Sequence, residues 1–242
     1  MARRNGPAVR VCVAGATGLV GQALLMRLLR VPQVRQLTGL VRNAKSGLAL
    51  PKGCQPQVVD FATLGQPGAA RLSAAALPAT ALPPTDWAFC CLGTTIKVAG
   101  SQAAFRAVDF DAVLAFARAA QAAGASRLGV VSALGADVKS SVFYNRVKGE
   151  MEQALAGLGL PHLVIARPSL LLGERSALGQ PGRPGERLAQ ALMPAVGWLI
   201  PRKLRPISAD TVAAALLSAL ADAAPGTTVL ESDALQALAQ PA

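Results

Sequence analysis

The sequence predicts an α/β protein built on a doubly wound parallel sheet, with helices on both faces and a small C-terminal extension on the substrate side. Short, almost wholly apolar segments alternate with segments of helical character that run for ten or more residues. This alternation is typical of buried parallel strands and their crossover helices. The first apolar segment runs directly into a glycine-rich turn, "GATGLVG" at 15–21, as expected where a first strand meets a first helix.

The predicted strands end at glycine, proline or charged residues. They cover 9–14, 37–41, 58–59, 86–93, 127–136 with an exit loop, 161–169 and 227–230. Helices are predicted at 19–29, 103–123, 143–158, 186–193 and 208–221, with one short helix in the Ala/Pro/Gly-rich segment 62–85. Gly124 is expected to close the long helix, and Ser208 to cap the last one.

The 242 residues are 52% hydrophobic and 15% charged, which argues against disorder and suits one sizeable domain. One continuous core pattern predicts a single domain over 1–242. Its core spans 8–172, a Gly/Pro/Arg-rich segment on the substrate side spans 173–206, and a returning helix and strand span 207–242. From its position after the last core strand, we expect the middle segment to form one wall of a ligand cleft.

The formal net charge of +11 raises nucleic acid as a partner. The basic residues are scattered, however, and only 202–205 forms a compact cluster. No aromatic residues alternate with them, as a base-stacking surface requires. We therefore expect a solvated basic surface and no nucleic-acid partner.

No segment is predicted to cross a membrane. The basic N-terminus and the apolar run 11–26 imitate an export signal, but three glycines at a spacing of three interrupt that run and Arg27 ends it. The apolar stretch 188–201 is too short to span a bilayer and contains Pro194. Because this stretch lies beside the basic cluster 202–205, peripheral membrane contact stays open as an alternative.

Four cysteines and a single histidine show no metal-site spacing, so no bound metal is expected. The cysteines are Cys12, Cys54, Cys90 and Cys91. Reduced, partly buried thiols in a cytoplasmic protein fit this pattern. His162 begins a predicted strand without an acidic neighbour in sequence, which favours a structural role. No sequence feature specifies the oligomeric state.

The glycine turn predicts a phosphate-binding loop. Gly15, Gly18 and Gly21 are spaced for a tight turn, a close backbone approach to a pyrophosphate and close contact between helix and strand. Free N–H groups and the helix dipole both favour an anion at this place. Because the turn follows the first strand of an alternating α/β chain, we expect a bound dinucleotide.

Arg42 indicates which dinucleotide is bound. An acid at the end of the second strand would hydrogen-bond the ribose 2′-hydroxyl of NAD(H). Arg42 stands there instead, 21 residues after Gly21, with Lys45 nearby. An arginine can pair with a 2′-phosphate, so NADP(H) is expected in preference to NAD(H). The alternative is a solvated arginine at a strand end.

Tyr144 and Lys148 are four residues apart and would therefore lie on one face of a helix. A phenol exchanges protons poorly at neutral pH unless a nearby cation stabilises the phenolate, and Lys148 could supply that cation. Lys148 could also bind the cofactor by holding the nicotinamide ribose. Read alone, the pair could be the chance start of an amphipathic helix. Its position after the fifth strand, with a phosphate-binding turn at the first, favours catalysis. Glu150 and Glu152, further along, are expected on an exposed face.

With these residues the chain resembles the short-chain dehydrogenase/reductase superfamily over nearly its full length. It is most similar to the atypical branch that includes Tat-interacting-protein-like oxidoreductases. The motifs are "GATGLVG", "CLGTT", "VSALGAD", "YNRVKGEMEQ" and "RPSLLLGER". The resemblance implies a Rossmann fold and an oxidoreductase that reduces a small carbonyl substrate with NADP(H), with Tyr144 as general acid and Lys148 as its partner.

The resemblance also implies which residues contact the cofactor. The phosphate loop is Gly15, Thr17, Gly18, Leu19, Val20 and Gly21; Arg42 selects NADP(H); Asp60 and Phe61 border the adenine; Leu92, Gly93 and Thr94 lie over the middle of the cofactor; Arg167, Pro168 and Ser169 pass close to the nicotinamide.

Two positions depart from the superfamily pattern. A hydroxyl after the fifth strand, often the second of two serines, usually polarises the carbonyl, and here the pair is Ser132-Ala133. Ser132 is the best candidate, with Ser140 or Ser141 as alternatives. Asp109 stands where the superfamily often has an asparagine. These departures favour the main alternative function, an NADP(H)-binding redox sensor that acts through a partner.

Overall fold

A seven-stranded parallel sheet organises the described residues, which are 7–47, 49–64, 81–172 and 201–239 of this computed structural model. Its order is β3-β2-β1-β4-β5-β6-β9. The strands are β1 (Val9–Ala14), β2 (Val34–Val41), β3 (Gln55–Val58), β4 (Trp87–Cys90), β5 (Arg127–Val131), β6 (His162–Arg167) and β9 (Gly226–Glu231). Two short strands, β7 (Leu171–Leu172) and β8 (Ile207–Ser208), form a separate parallel pair. The predicted doubly wound α/β fold is confirmed.

Helices cover both faces of the sheet. They are α1 (Leu19–Leu28), α2 (Ala44–Gly47), α3 (Ile96–Ala99), α4 (Gln102–Arg106), a π-helical segment (Ala107–Asp111), α5 (Ala112–Ala122), α6 (Phe143–Ala156), a 3-10 turn (Arg202–Leu204), α7 (Ala209–Ala221) and α8 (Ser232–Leu238). Ser208 caps α7 as predicted, because its side chain accepts from the Thr211 N–H. Gly124, with a φ of 98°, follows α5 where the end of the long helix was expected.

The alternation of side chains along β1 divides the core into two layers. Val11 and Val13 belong to the layer that includes α1 and α7, whereas Cys12 and Ala14 belong to the layer that includes α5 and α6. Because successive strand residues point to opposite faces, a strand buried on both sides is apolar at every position. This explains why β1, β4, β5 and β6 could be located from their apolar runs.

Several elements differ from the prediction. β2 begins at Val34 rather than 37, since its first three residues are only half-buried or exposed and give no apolar run. The predicted helix 103–123 is interrupted by the π-helical segment, where the Ala112 N–H bonds to the Ala107 carbonyl. The short helices α2, α3 and α8 and the pair β7-β8 were not predicted. The predicted helix 186–193 and most of the segment 62–85 lie outside the described residues.

Candidate active site

The candidate site lies at the carboxyl edge of the sheet, where the strand order reverses between β1 and β4. In open parallel α/β sheets ligands bind in the crevice at this switch point. The segments that follow the strands at this edge are the glycine turn after β1, the loop 91–95 after β4, Ser132 after β5 and the segment 168–169 after β6. The topology therefore brings the predicted site segments to one edge.

The glycine turn has space for backbone atoms alone. Gly15 has a φ of 75°, and a Cβ there would lie 2.4 Å from the Cys91 carbonyl carbon. A Cβ on Gly21 would lie 2.1 Å from the Gly15 oxygen. No side chain caps the N-terminus of α1 at Gly18, and no acid lies in its first turn. The amides there are available to an anion, so this turn fits a pyrophosphate.

The end of β2 carries a positive charge with space around it. Arg42 is exposed and makes no ion pair with another described residue. The side chain of Asn43 accepts from the N–H of Ser46 at 2.9 Å and so shapes the start of α2. Lys45 is exposed beside them. The residues 42–46 at the end of β2 are basic or neutral.

The predicted adenine-side residues follow β3. Asp60 is exposed, and its carboxylate accepts from the Ala62 N–H at 2.9 Å, which fixes the turn. Phe61 is half-buried and packs against the core layer of α5 and α6. Both residues lie one strand beyond Arg42 in the sheet, since β3 pairs with β2.

Tyr144 and Lys148 project from the first two turns of α6. The half-buried ring of Tyr144 packs against Phe105, with centroids 5.3 Å apart, and its hydroxyl has no hydrogen-bond partner among the described residues. Lys148 is buried, and its Nζ lies 2.7 Å from Oδ1 of Asp109. The predicted pair is therefore brought together, and a third residue joins it.

The charge on Lys148 is stabilised although the side chain is buried. Burial alone would lower the pKa of this ammonium, but Asp109, followed by Tyr144, outweighs burial and raises the pKa above its usual value. Cys90 on β4 faces the same group, and burial raises the pKa of its thiol to about 12. Lys148 is thus a cation at neutral pH with one carboxylate counterion.

The contact of Asp109 with Lys148 was not predicted from the sequence, where Asp109 stands out only as a departure from the asparagine of the superfamily. The side chain is completely buried in the π-helical segment. Its Oδ2 accepts from the Thr94 N–H at 2.8 Å, while Oδ1 faces Lys148. The two acids among apolar residues in "AVDFDAV" were an available signal, since an acid on the buried side of such a helix needs a partner.

Ser132 is buried, and its Oγ has no hydrogen-bond partner within the described part of the chain. Its N–H donates to the Ala166 carbonyl at 2.7 Å, which continues the pairing of β5 with β6. A buried hydroxyl without a partner is uncommon and suits a ligand that would complete it. The alternative Ser140 accepts from the Val142 N–H, and Ser141 is exposed. Ser132 fits the carbonyl-polarising role better than either alternative.

The guanidinium of Arg167 is held by two carboxylates. Its Nε donates to Glu152 at 3.0 Å, and its Nη1 donates to Glu231 at 3.0 Å. Glu152 is only 6% exposed, so the expectation that it lies on an exposed face is wrong. Helical periodicity could not reveal the burial of Glu152, because its partner Arg167 lies on β6, 15 residues away in sequence. The guanidinium of Arg167 is thus already paired with protein carboxylates, and its contact with the cofactor stays a prediction.

The other predicted cofactor residues after β6 are held in place. Pro168 is buried, and its carbonyl accepts from the Leu134 N–H at 2.9 Å. The hydroxyl of Ser169 donates to the Arg205 carbonyl and accepts from Ser232. These contacts join the end of β6 to the chain that re-enters at β8.

The remaining predictions concern residues away from the site. His162 begins β6 and lies at the amino edge of the sheet, opposite the site, so its structural role stays a prediction. The four cysteines are free. In the described ranges no cluster of metal-ligating side chains occurs, and no helix is long and apolar enough to cross a membrane. The stretch 188–201 lies outside those ranges except for Pro201.

Comparison with known proteins adds a family assignment. The family model for NAD(P)H-binding proteins matches residues 15–223. The chain is 33% identical to the mitochondrial protein fmp52 of Emericella nidulans over 77% of this chain and 76% of that protein. It is 35% identical to the protein HTATIP2 of Rattus norvegicus over 74% of this chain and 68% of that protein.

Solved structures share the fold at low sequence identity. The Bordetella bronchiseptica enzyme WbmF in complex with NAD⁺ is 17% identical and has a TM-score of 0.60, over 96% of this chain and 77% of that one. A UDP-N-acetylglucosamine 4-epimerase from Methanobrevibacter ruminantium is 14% identical with a TM-score of 0.64, over 93% and 77% of the two chains.

The relatives correct one prediction. The fmp52 protein of Emericella nidulans and the FMP52 proteins of Coccidioides immitis and Candida albicans are all named mitochondrial. The predicted cytoplasmic localisation is therefore wrong, because free cysteines report a reducing environment and do not identify the compartment that provides it.

The described sheet topology, the glycine turn and the sequence relatives all indicate the same family. The chain belongs to the NAD(P)H-binding family, in the atypical short-chain dehydrogenase/reductase branch of HTATIP2 and FMP52.

Proposed function

We propose that the protein is an NADP(H)-dependent oxidoreductase that reduces a small carbonyl compound, with Tyr144 as the general acid. The environment of Tyr144 is the main support for this assignment. Tyr144, whose hydroxyl has no hydrogen-bond partner among the described residues, is one helical turn from the buried cation of Lys148 and interacts with it electrostatically, in a family that binds NAD(P)H. The buried, unpartnered hydroxyl of Ser132 at the same edge of the sheet supports it.

Residues at the carboxyl edge would hold the cofactor. The amides of the glycine turn would bind the pyrophosphate, and the loop 92–94 would lie over the middle of the molecule. Arg42 would pair with a 2′-phosphate, which makes NADP(H) the preferred form because a guanidinium binds phosphate through charge-assisted hydrogen bonds. When bound, the reduced nicotinamide supplies a hydride to the substrate carbon.

The chain's own side chains would manage the carbonyl oxygen. Ser132 Oγ would donate a hydrogen bond to it, and the Tyr144 hydroxyl would transfer a proton to it as the negative charge develops. The ammonium of Lys148 would stabilise the phenolate that remains. Positioned proton transfer of this kind is worth roughly 10²–10⁴ in rate.

Replacement of Tyr144 by phenylalanine tests the catalytic assignment. NADPH consumption with a panel of aldehydes and ketones is expected to fall by about 100-fold or more, because the transferable proton is lost. NADPH binding, followed by its fluorescence, should stay within about threefold of the wild type, since the cofactor amides are unchanged.

Two outcomes would contradict parts of this proposal. Wild-type protein that binds no NADPH would contradict the cofactor assignment, whereas unchanged turnover in the Tyr144→Phe variant would contradict the general acid. Tight NADPH binding without consumption of any carbonyl compound would support the redox-sensing alternative, which the Ser132-Ala133 pair favours.

A further inference from the structure

The carboxylate of Asp109 joins two parts of the site that the sequence separates. Oδ1 faces the Lys148 Nζ at 2.7 Å, and Oδ2 accepts from the Thr94 N–H at 2.8 Å. The first contact reaches the helix that carries Tyr144, and the second reaches the loop after β4. The Asp109 side chain thus sets the position of both α6 and the loop after β4.

The Asp109 carboxylate and its partner Lys148 are both shielded from solvent. The side chains of Asp109 and Lys148 are 1% and 3% exposed. Neither group can exchange its partner for bulk solvent without local opening. Removing a charge from a buried pair is costly, because the remaining charge is left in a medium that solvates it poorly. Lys148 therefore depends on Asp109 for its charged state.

The backbone around Asp109 departs from regular α-helix. The π-helical segment Ala107–Asp111 inserts between α4 and α5, with the Ala112 N–H bonded to the Ala107 carbonyl. Single π-turns inside helices occur frequently at functional sites because they change the direction of one side chain. Here the altered turn contains the acid that meets Lys148.

We propose that Asp109 is a positioning residue, which keeps Lys148 positively charged and ties that charge to the loop 92–94 expected over the cofactor. The proposal rests on the proposed function for its catalytic consequence. Its physical content, the charge coupling between Asp109 and Lys148, stands on geometry and can be measured without turnover.

The titratable groups that face Lys148 in the described structure come from three elements. They are Asp109 in the π-helical segment, Tyr144 on α6 and Cys90 on β4. Asp109 is the carboxylate in this set. Of these partners Asp109 raises the pKa of Lys148 most, against the lowering effect of burial.

The test compares Asp109→Asn with Asp111→Asn and with the wild type. Asparagine keeps an oxygen that can accept from the Thr94 N–H but removes the charge that opposes Lys148. Asp111 belongs to the same π-helical segment and is exposed, so its variant loses an equal charge without the buried contact. A purely structural effect through Thr94 would be small in the asparagine variant.

Thermal stability against pH is the primary readout. In the wild type the raised pKa of Lys148 makes its contribution to stability constant below the unfolded value of about 10.4. In Asp109→Asn burial should lower the folded pKa, so the native state releases its proton first. Stability then rises with pH, and the deficit in Tm relative to wild type should shrink by about half or more between roughly pH 7 and pH 10.

The turnover of Asp109→Asn should fall as the pH rises, whereas its stability should rise. The Asp109→Asn variant is expected to lose NADPH-dependent activity progressively as the pH rises through the same range, because neutral Lys148 no longer stabilises the phenolate. At low pH its activity should recover to within about fivefold of wild type. Asp111→Asn should match the wild type in both measurements.

The pH dependence of the Tm deficit tests the charge coupling between Asp109 and Lys148 separately from turnover. A Tm deficit of Asp109→Asn that stays constant with pH would overturn the charge coupling, whether or not the protein turns over NADPH. A shrinking deficit in a protein that shows no turnover at all would support the coupling and count against the proposed function instead.

Discussion

Tyr144 depends on two neighbours of different chemical kinds. Phe105 is fully buried and supports one face of the Tyr144 ring, while Lys148 places a cation on the next turn of the same helix. The first neighbour restricts the direction of the hydroxyl, and the second supplies an electric field at it. At this scale the proposed site is a tyrosine packed against a buried aromatic ring, with a buried cation one turn along the same helix.

Arg42 should determine cofactor preference. Replacing it with alanine is expected to weaken NADPH binding by about 10- to 100-fold, the value of one charge-assisted hydrogen bond, and to leave NADH binding nearly unchanged. Titration of both cofactors with wild type and variant checks this. Arg35, exposed near the start of the same strand, offers a matched control as Arg35→Ala. Equal losses for NADPH and NADH would contradict the assignment to a 2′-phosphate.

Elements, more than single residues, bring the site together. The phosphate turn, the loop 91–95 and Ser132 follow β1, β4 and β5. These strands are consecutive in the sheet, although Gly15 and Ser132 are 117 residues apart in sequence. Parallel pairing places their carboxyl ends at one edge. The contact between the glycine turn and the Cys91-Leu92 backbone then fixes the distance between the first two of these segments.

Gly21→Ala tests this close packing. The added Cβ would meet the Gly15 oxygen at 2.1 Å, and backbone cannot move away as a flexible side chain would. We expect a loss of stability of about 1–3 kcal/mol, measured by urea unfolding, and a loss of NADPH binding as the turn shifts.

Gly157→Ala is the matched control for that variant. Gly157 ends α6 with right-handed backbone angles, and a Cβ there would find its nearest atom at 3.4 Å. Alanine should be tolerated at this position. A Gly21→Ala protein that binds NADPH as tightly as the wild type would contradict the account of the turn.

At the scale of the whole molecule, ion pairs connect neighbouring strands and helices that are far apart in sequence. Arg10 on β1 donates from its backbone and its guanidinium to Asp86, which precedes β4. Arg167 connects β6 with Glu152 on α6 and Glu231 on β9. These contacts hold the edges of neighbouring elements at both ends of the sheet, around a core composed of apolar side chains.

Acid should weaken the fold partly through Asp86. The hydrogen bond from Arg10 lowers the pKa of this carboxyl below its usual value. Its contribution to stability is therefore complete above the unfolded value of about 3.9 and is lost as the pH falls through the folded pKa. Asp86→Asn should be less stable than wild type at neutral pH, and the difference in Tm should shrink as the pH falls below the unfolded value of about 3.9.

The exposed Asp111 again provides the control for this measurement, because Asp111→Asn removes a carboxylate that has no hydrogen-bond or ion-pair partner among the described residues. Its Tm difference from wild type should be small throughout. A constant deficit of Asp86→Asn from neutral to acid pH would show that the ion pair does not contribute through its charge.

Much of the fold could be predicted because its determinants are local. Strands buried on both faces appear as apolar runs, and the glycine spacing marks the first turn. Asp109 and Lys148 are 39 residues apart, and Glu152 and Arg167 lie on different elements, so no local pattern reveals either pair. The π-helical segment escaped prediction for a related reason, since its residues have the composition of an ordinary helix.

A crystal structure of the protein with NADP⁺ tests the central claim most directly. We expect the pyrophosphate on the amides of the glycine turn, Arg42 on the 2′-phosphate, and the hydroxyls of Tyr144 and Ser132 both within hydrogen-bond distance of one point beside the nicotinamide ring. A complex in which Ser132 and Tyr144 point to different places, or in which the nicotinamide lies away from Tyr144, would contradict the proposed reductase.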